Sequence, residues 1–402
     1  MRIAIIGAGA AGYFAALQLQ EFLPEAEVKL YEKATPLAKV KVSGGGRCNV
    51  THACFDPAEL VQYYPRGGKE LLGPFHHFQP GDTIAWFADR GVELKVEEDG
   101  RMFPITDKSQ TIIDCFQNTL RSETLVKVGI ADFFQDGEGW KIVTDQGEEE
   151  RFDRLVITVG SSPKFAKLME QKGITMVPAV PSLFTFHIPD ETLHALSGLA
   201  FHAEVEIEGA PWTTEGPMLI THWGASGPAV LKMSAWAARW MAEREYKAEM
   251  LLNSLPQWSR DTVKQQLMEV RKASAKKQVI NAHPPGVTNR WWNFVVQKHN
   301  KEKDKLWADV TNEAIESWTD LLTQMRLPVN GKSTFKEEFV TAGGVDLRSI
   351  HFKTMESKEQ KHLYFAGEVL DIDAVTGGFN FQAAWTTAYI AARGIAESFS
   401  QK

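Results

Sequence analysis

The stretch RIAIIGAGAAG, Arg2 to Gly12, decides the fold. Arg2 to Ile6 read as a short strand, apolar beyond its first residue, of the kind a parallel sheet buries on both faces. GAGAAG then puts Gly7, Gly9 and Gly12 at the three positions of GxGxxG. Gly7 allows the tight turn, Gly9 lets backbone approach a pyrophosphate, and Gly12 lets a helix pack on the strand. An apolar-periodic run from Tyr13 to Leu23 continues as that helix, whose first N–H groups suit phosphate. A second strand, EVKLYEK, carries Glu32, twenty residues past Gly12. A carboxylate there accepts from both hydroxyls of an adenosine ribose and repels a 2′-phosphate. The loop by itself leaves FAD and NAD both open.

A second glycine-rich stretch follows at once: VSGGGRCNVTH, Val42 to His52. Its glycines let backbone run close along a cofactor, and Arg47 is suited to neutralising phosphates. Cys48 can be read two ways. Arg47 and nearby N–H groups could favour its thiolate, or it could be a small side chain packed beside the cofactor. No partner cysteine or base is in register, so packing is the expected role.

The C-terminal segment repeats the phosphate-loop logic. Leu363 to Ala366 read as a buried strand, ended by Gly367-Glu368. After Asp371 and Asp373, Thr376-Gly377-Gly378 lead into an alanine-rich helix from about Asn380 to Phe399. One reading is a plain terminal strand–helix unit. The other is a helix N-terminus aimed at the flavin edge that gains negative charge on reduction.

In chain order, GAGAAG with Glu32, SGGGRCNVT, GRMFP (Gly100 to Pro104), THWGASGPAVL (Thr221 to Leu231), TAGGV (Thr341 to Val345), TMESK (Thr354 to Lys358) and AGEVLDID…TGGFNFQ resemble the BaiN/YhiN-like flavoproteins. That family is also known as aminoacetone-oxidase-type or NAD(P)/FAD-dependent oxidoreductases, and the resemblance spans essentially the whole chain. It implies an α/β fold: a Rossmann-type FAD-binding domain of the glutathione-reductase-2 type with a β-rich and a helical insertion. It also implies non-covalent FAD. Carried over position by position, Gly7, Gly9, Ala11, Gly12, Glu32 and Lys33 would hold the ADP half. Lys39, Ser43, Gly44, Gly45, Arg47, Cys48 and Asn49 would lie along the pyrophosphate, ribitol or ring. Gly367, Glu368, Asp373, Gly377, Gly378, Phe379 and Asn380 would meet the ribitol and ring. Val128, in the strand TLVKVGIADF, matches the position whose backbone meets the adenine, and Thr158 and Gly160 match a turn near the dinucleotide. The chain departs from the family at His52, Ala374, Thr158-Val159-Gly160-Ser161 and Thr386-Thr387-Ala388.

The prolines at 178, 181 and 189 mark an exit from the first domain. The expected organisation is a discontinuous FAD domain over 1–188 and 341–402, a β-rich insertion over 189–252 and 326–340, and a helical insertion over 253–325. Within the insertions, FHAEVEIEG and PMLITHW read as strands. Ser226 reads as the cap of a helix running from Pro228 to Ala242, and strands return near Thr334 to Val340.

The chain has 402 residues, 44% hydrophobic and 24% charged, with a net charge of −7. Those are ordinary values for a globular chain. Three cysteines without a CxxC argue against a disulfide framework or a zinc site and for a reducing compartment. No run approaches a membrane span, so a cytoplasmic location and no membrane partner are expected. Arg260 to Lys305 carries eleven Lys/Arg against four Asp/Glu, a net of +7, leaving −14 on the remainder. With Trp291, Trp292 and Phe294 it could be a nucleic-acid face. A solvated helical face over packed aromatics is the preferred reading, so nucleic acid is not an expected partner.

The expected activity is FAD-dependent reduction of a small organic substrate, with NAD(P)H as candidate co-substrate and no metal. An amine or aminoketone oxidase using oxygen is one alternative, and a flavin-containing RNA-modifying or RNA-binding protein is another. No catalytic side chain stands out beyond the flavin, and the oligomeric state is not legible.

Overall fold

The computed structural model describes residues 1–299, 304–333 and 340–400. These divide into two compact units, Met1–Pro181 with Lys336–Lys402, and Ser182–Phe335.

The first unit is built on a seven-stranded sheet. Arg2–Ile6 lies inside it, paired in parallel with Glu27–Tyr31 on one side and with the middle strand, Arg154–Ile157, on the other. Leu125–Val126 and Leu363–Phe365 extend the sheet in parallel. Glu356–Ser357 and Ile350–His351 finish it antiparallel. Ile3, Ala4 and Ile5 have no exposure, as the apolar run requires of a strand covered on both faces. The helix Ala10–Phe22 is buried from Ala11 to Leu19 and packs against the last helix, Phe379–Ser400. Phe14 and Trp385 meet between them with ring centroids 5.4 Å apart. Two three-stranded antiparallel sheets and a two-stranded one, Met176–Ser182 with Val340–Val345, accompany it.

One sequence expectation changes here. TLVKVGIADF is not one strand: Leu125–Val126 and Ile130–Asp136 are separate, and Val128 lies between them. The Val128 N–H donates back to the Val126 carbonyl at 2.9 Å, a tight local turn that breaks the strand pairing.

The second unit holds another seven-stranded sheet, antiparallel throughout. Thr185–His187 pairs in it with Gly224–Ser226 and Lys332–Ser333. This is why the chain crosses between units after Pro181, ahead of the sequence boundary at 188. The helices Arg260–Ala273, Asn289–His299 and Asn312–Thr323 gather over Trp292, Trp307 and Trp318, all without exposure. Trp291 and Phe294 are also buried, so the aromatics of the basic stretch are core and not a stacking face. Several of its cations face acids: Arg260 and Lys264 meet Glu316, and Lys298 meets Asp190.

The expected cap at Ser226 is not formed. Ser226 belongs to a strand and its hydroxyl accepts from Thr185 Oγ1 at 2.9 Å. Gly227, at φ +91°, starts the helix Pro228–Trp236 without a side-chain cap. That helix ends at Trp236, and a short one, Ala238–Ala242, follows. Of the returning strands, Thr334 to 339 lies outside the described residues, and Val340 opens the strand Val340–Val345.

Candidate FAD site

The first glycine loop has the tightness its sequence implies. Gly7 sits at φ +103°, and a Cβ there would come within 2.7 Å of the Thr158 carbonyl oxygen. A Cβ on Gly12 would land 1.9 Å from the Gly7 carbonyl oxygen. Thr158 clasps the loop by donating its hydroxyl to the carbonyls of Ile6 at 3.0 Å and Gly7 at 2.8 Å. Gly9 differs: its missing Cβ faces open space, with nothing within 4 Å. Gly9 is also the helix N-cap and has no side-chain cap. Open space over uncapped N–H groups is the geometry a phosphate requires. Glu32 accepts from the backbone N–H of Ala8 at 3.0 Å and of Ala34 at 2.8 Å, which holds its carboxylate at the loop's rim. Lys33 is exposed and pairs with Asp145 at 2.7 Å.

The second stretch is a broken helical turn, Ala38–Gly46. Ser43 leaves helical geometry and donates its hydroxyl to the Val40 carbonyl at 2.8 Å. Gly44, Gly45 and Gly46 then take φ of +57°, +66° and +84° in succession, a path only glycine follows without strain. Missing side chains at Gly45 and Gly46 again face open space. Arg47 has protein partners: its guanidinium reaches Glu97 at 2.6 Å and Asp107 at 3.6 Å and lies 3.9 Å over the Phe103 ring. Cys48 is fully buried at φ +62°, and burial pushes its thiol up to about 12. A thiol so held is protonated at neutral pH, which favours packing over nucleophilic chemistry. With its amide oxygen turned to the Gly378 N–H, 3.0 Å away, Asn49 joins this stretch to the last glycine turn.

At the third segment Gly367 takes φ +77°, and a Cβ there would lie 2.7 Å from that of Ala11. Its N–H donates to Thr387 Oγ1 at 2.9 Å, so the unusual Thr386-Thr387 step anchors the strand end. Glu368 takes the Lys39 ammonium at 2.6 Å and the Thr341 N–H at 3.2 Å. A Cβ at Gly160, φ +61°, would lie 3.7 Å from the Glu368 carboxylate. Gly377 and Gly378 take φ of +138° and +94°, and a Cβ on Gly378 would meet the Thr51 carbonyl oxygen at 2.4 Å. The Asn380 amide holds both the N–H and the carbonyl of Ala374, at 2.9 and 3.1 Å. Phe379 stacks with both His52 and Tyr63, with centroids 4.5 and 4.2 Å away, and those two rings also meet, 5.7 Å apart. Asp373 has no exposure and is paired with Arg66.

The structure thus brings the three glycine segments together in one unit. Sequence reading missed Tyr63, Arg66 and the buried Gln382. The first two sit in YYPRGG, a stretch with no motif to draw attention, and the glutamine closes the TGGFNFQ motif but was given no role there.

These surroundings fit a dinucleotide. Two glycine-lined turns present open backbone, two helices begin beside them, and a fixed carboxylate stands at the end of the second strand. The model of the HI0933-like protein Rossmann domain matches residues 1–394. The chain belongs to the HI0933-like family. As a member of that family it is an FAD-dependent oxidoreductase with a Rossmann-type α/β core. Three relatives match it almost end to end. A ribosomal RNA dihydrouridine synthase of Haemophilus influenzae is 28% identical, with 97% of each chain covered. One of Escherichia coli is 29% identical, covering 97% of this chain and 96% of that one. A 3-dehydro-bile acid Δ4,6-reductase of Clostridium scindens is 26% identical, covering 98% and 99%. Among solved structures, the 3-ketosteroid Δ1-dehydrogenase of Sterolibacterium denitrificans superposes with a TM-score of 0.50 at 11% identity, covering 98% of this chain and 99% of that one. That likeness is one of fold. Among the described residues no helix is long and apolar enough to cross a membrane, and no cluster of His, Cys, Asp and Glu could hold a metal ion.

Proposed function

We propose that this protein uses NAD(P)H to reduce a carbon–carbon double bond conjugated to a carbonyl group. The carrying observation is the bond type shared by its relatives. Dihydrouridine is uridine with one conjugated ring double bond saturated, and a Δ4,6-reductase acting on a 3-dehydro-bile acid saturates bonds of the same kind. Bound FAD supplies hydride transfer from the reduced nicotinamide to such a bond.

The chain's own residues bind and orient. In this reading the open side of Gly9 and the N-terminus of the first helix take the pyrophosphate, and Glu32 takes the adenosine ribose. Gly44 and Gly45 let backbone run beside the middle of the cofactor. Gly377, Gly378 and the start of the last helix meet the ring. Glu368 and Lys39 flank the ribitol, and Asp373, held by Arg66, shapes the turn between. Arg47 acts at one remove, by stiffening the loop against Glu97 and Phe103. Among the described residues no second GxGxxG loop accompanies the first, so the nicotinamide docks transiently without a fingerprint of its own.

The substrate in this reading is a small organic molecule. The names of two relatives support a second reading, a uridine in ribosomal RNA. Lys272, Lys276 and Lys277 are exposed and form no ion pair among the described residues, which leaves a local cationic surface for it.

Anaerobic mixing tests the proposal. NADH or NADPH is expected to bleach the flavin, and an unsaturated 3-oxo steroid or a uridine-containing RNA to restore its colour. Bleaching by a small amine, with none by either nicotinamide, would replace the proposal with an amine oxidase. Reoxidation by RNA alone, steeply weakened by salt, would select the second substrate.

A further inference from the structure

Directly behind the last glycine turn lies a closed polar network. Gln382, on the first turns of the last helix, has no exposure, and neither do Thr51, Thr83 and Thr386. Thr51 Oγ1 and Thr83 Oγ1 both donate to Gln382 Oε1, at 2.6 and 2.9 Å. Gln382 Nε2 donates to Thr386 Oγ1 at 3.1 Å, and that hydroxyl donates onward to the Phe78 carbonyl at 2.9 Å. The network joins three separate pieces of chain: the strand Thr51–His52, the helix Pro80–Ala88 and the last helix.

Such a network is an expensive thing to bury unless its geometry is needed. What it touches suggests the need. The Thr51 carbonyl packs where a Gly378 side chain would be. Gln382 N–H makes an early bond of the helix, to the Gly378 carbonyl at 3.0 Å. From the other side, the Asn49 amide oxygen faces the Gly378 N–H. The glutamine therefore fixes where the helix starts relative to the second glycine stretch. The start of a helix carries about half a positive charge in its unsatisfied N–H groups, and that field falls off within the first turn.

We propose that Gln382 is a positioning residue that sets the redox balance of the bound flavin by fixing the start of the last helix. The inference rests on FAD binding as assigned above. Oxidised and reduced flavin differ in negative charge, so the aim of these N–H groups acts on the two forms unequally. A residue that only held the fold together would weaken binding of both forms alike.

The experiment measures FAD affinity for both redox states in wild type, Gln382→Met and Gln382→Glu, with circular dichroism confirming the fold. Gln382→Met fills the space but loses the acceptor and the donor. It is expected to lower the preference for reduced over oxidised FAD by about tenfold, which is about 30 mV for a two-electron couple. Gln382→Glu serves as the conservative rescue. Protonated, it accepts from both threonines and donates to Thr386. Its preference should match wild type at low pH and fall as pH rises and a buried negative charge forms. If Gln382→Met does not fold, Thr83→Val removes one donor and should shift the preference the same way by less. The inference is overturned if folded Gln382→Met or Thr83→Val keeps the wild-type preference, or if the Gln382→Glu pH profile superimposes on wild type. Failure of the wild type to bind FAD would instead sink the cofactor assignment itself.

Discussion

Arg66 and the buried Asp373 are joined in one ion pair across 307 residues of chain. The pairing extends to the backbone, where the two residues form an isolated antiparallel bridge. It ties the YYPRGG segment to the turn that leads into the last helix. A buried pair of this kind adds little to stability over apolar residues of the same size, but breaking it is severe.

Arg66→Met should therefore destabilise the protein by about 3–5 kcal/mol, because it removes the countercharge from a buried carboxylate. The double variant Arg66→Met/Asp373→Leu should recover much of that loss. Urea unfolding of the apoprotein measures both. Equal stability of wild type and the single variant would show the pair to be unimportant.

The two glycines of the first loop should fail in different ways. A methyl at Gly12 collides with the Gly7 carbonyl, so Gly12→Ala should lower the melting temperature and abolish FAD retention together. A methyl at Gly9 meets no protein atom. Gly9→Ala should leave the apoprotein's melting temperature within a degree or two of wild type while weakening FAD at least tenfold, about 1.4 kcal/mol. Fluorescence titration of the apoprotein separates the two effects.

In the second stretch, Gly45→Val adds a branched side chain at φ +66°, where such residues are strained. FAD retention should fall. Arg47→Ala should also lose flavin, and Glu97→Gln should do so in the same direction if the arginine acts by holding the loop. Were the arginine instead to meet phosphate, Glu97→Gln would leave retention unchanged or raise it. Flavin-to-protein absorbance ratios of the purified variants read this out.

Cys48 offers a pH test. Burial raises its thiol to about 12 from an ordinary 9.0. Between those values the unfolded chain has lost the proton and the folded chain has kept it. Stability should then be fully present below about pH 9 and decline as pH rises toward 12. Cys48→Ala should flatten that decline and retain FAD. Native protein should resist alkylation at Cys48 at pH 8 until it is unfolded, as mass spectrometry of the labelled peptide would report. Rapid labelling of folded protein would restore the thiol as a reactive group.

The sequence by itself determined the Rossmann core and the identity of its glycine turns. That information is local: a positive φ favours glycine and a close backbone approach demands it, so the requirement is written at the position where it acts. Gly7, Gly12, Gly44 and Gly378 were legible for this reason, and Glu32 was legible because one strand–helix–strand unit fixes its distance from Gly12. Tertiary structure decided the partners. Arg47 looked like a phosphate ligand by its charge and place in the loop, but Glu97 and the Phe103 ring claim its guanidinium. Arg66 carried no local signal, and Gln382 closed the TGGFNFQ motif without a legible role, because what gives them a role is side chains hundreds of residues away: Asp373 for one, Thr51 and Thr83 for the other. Helical and strand periods report which face of an element is buried. They do not report which polar group waits on the other side, and burial there is what makes each of these pairings matter.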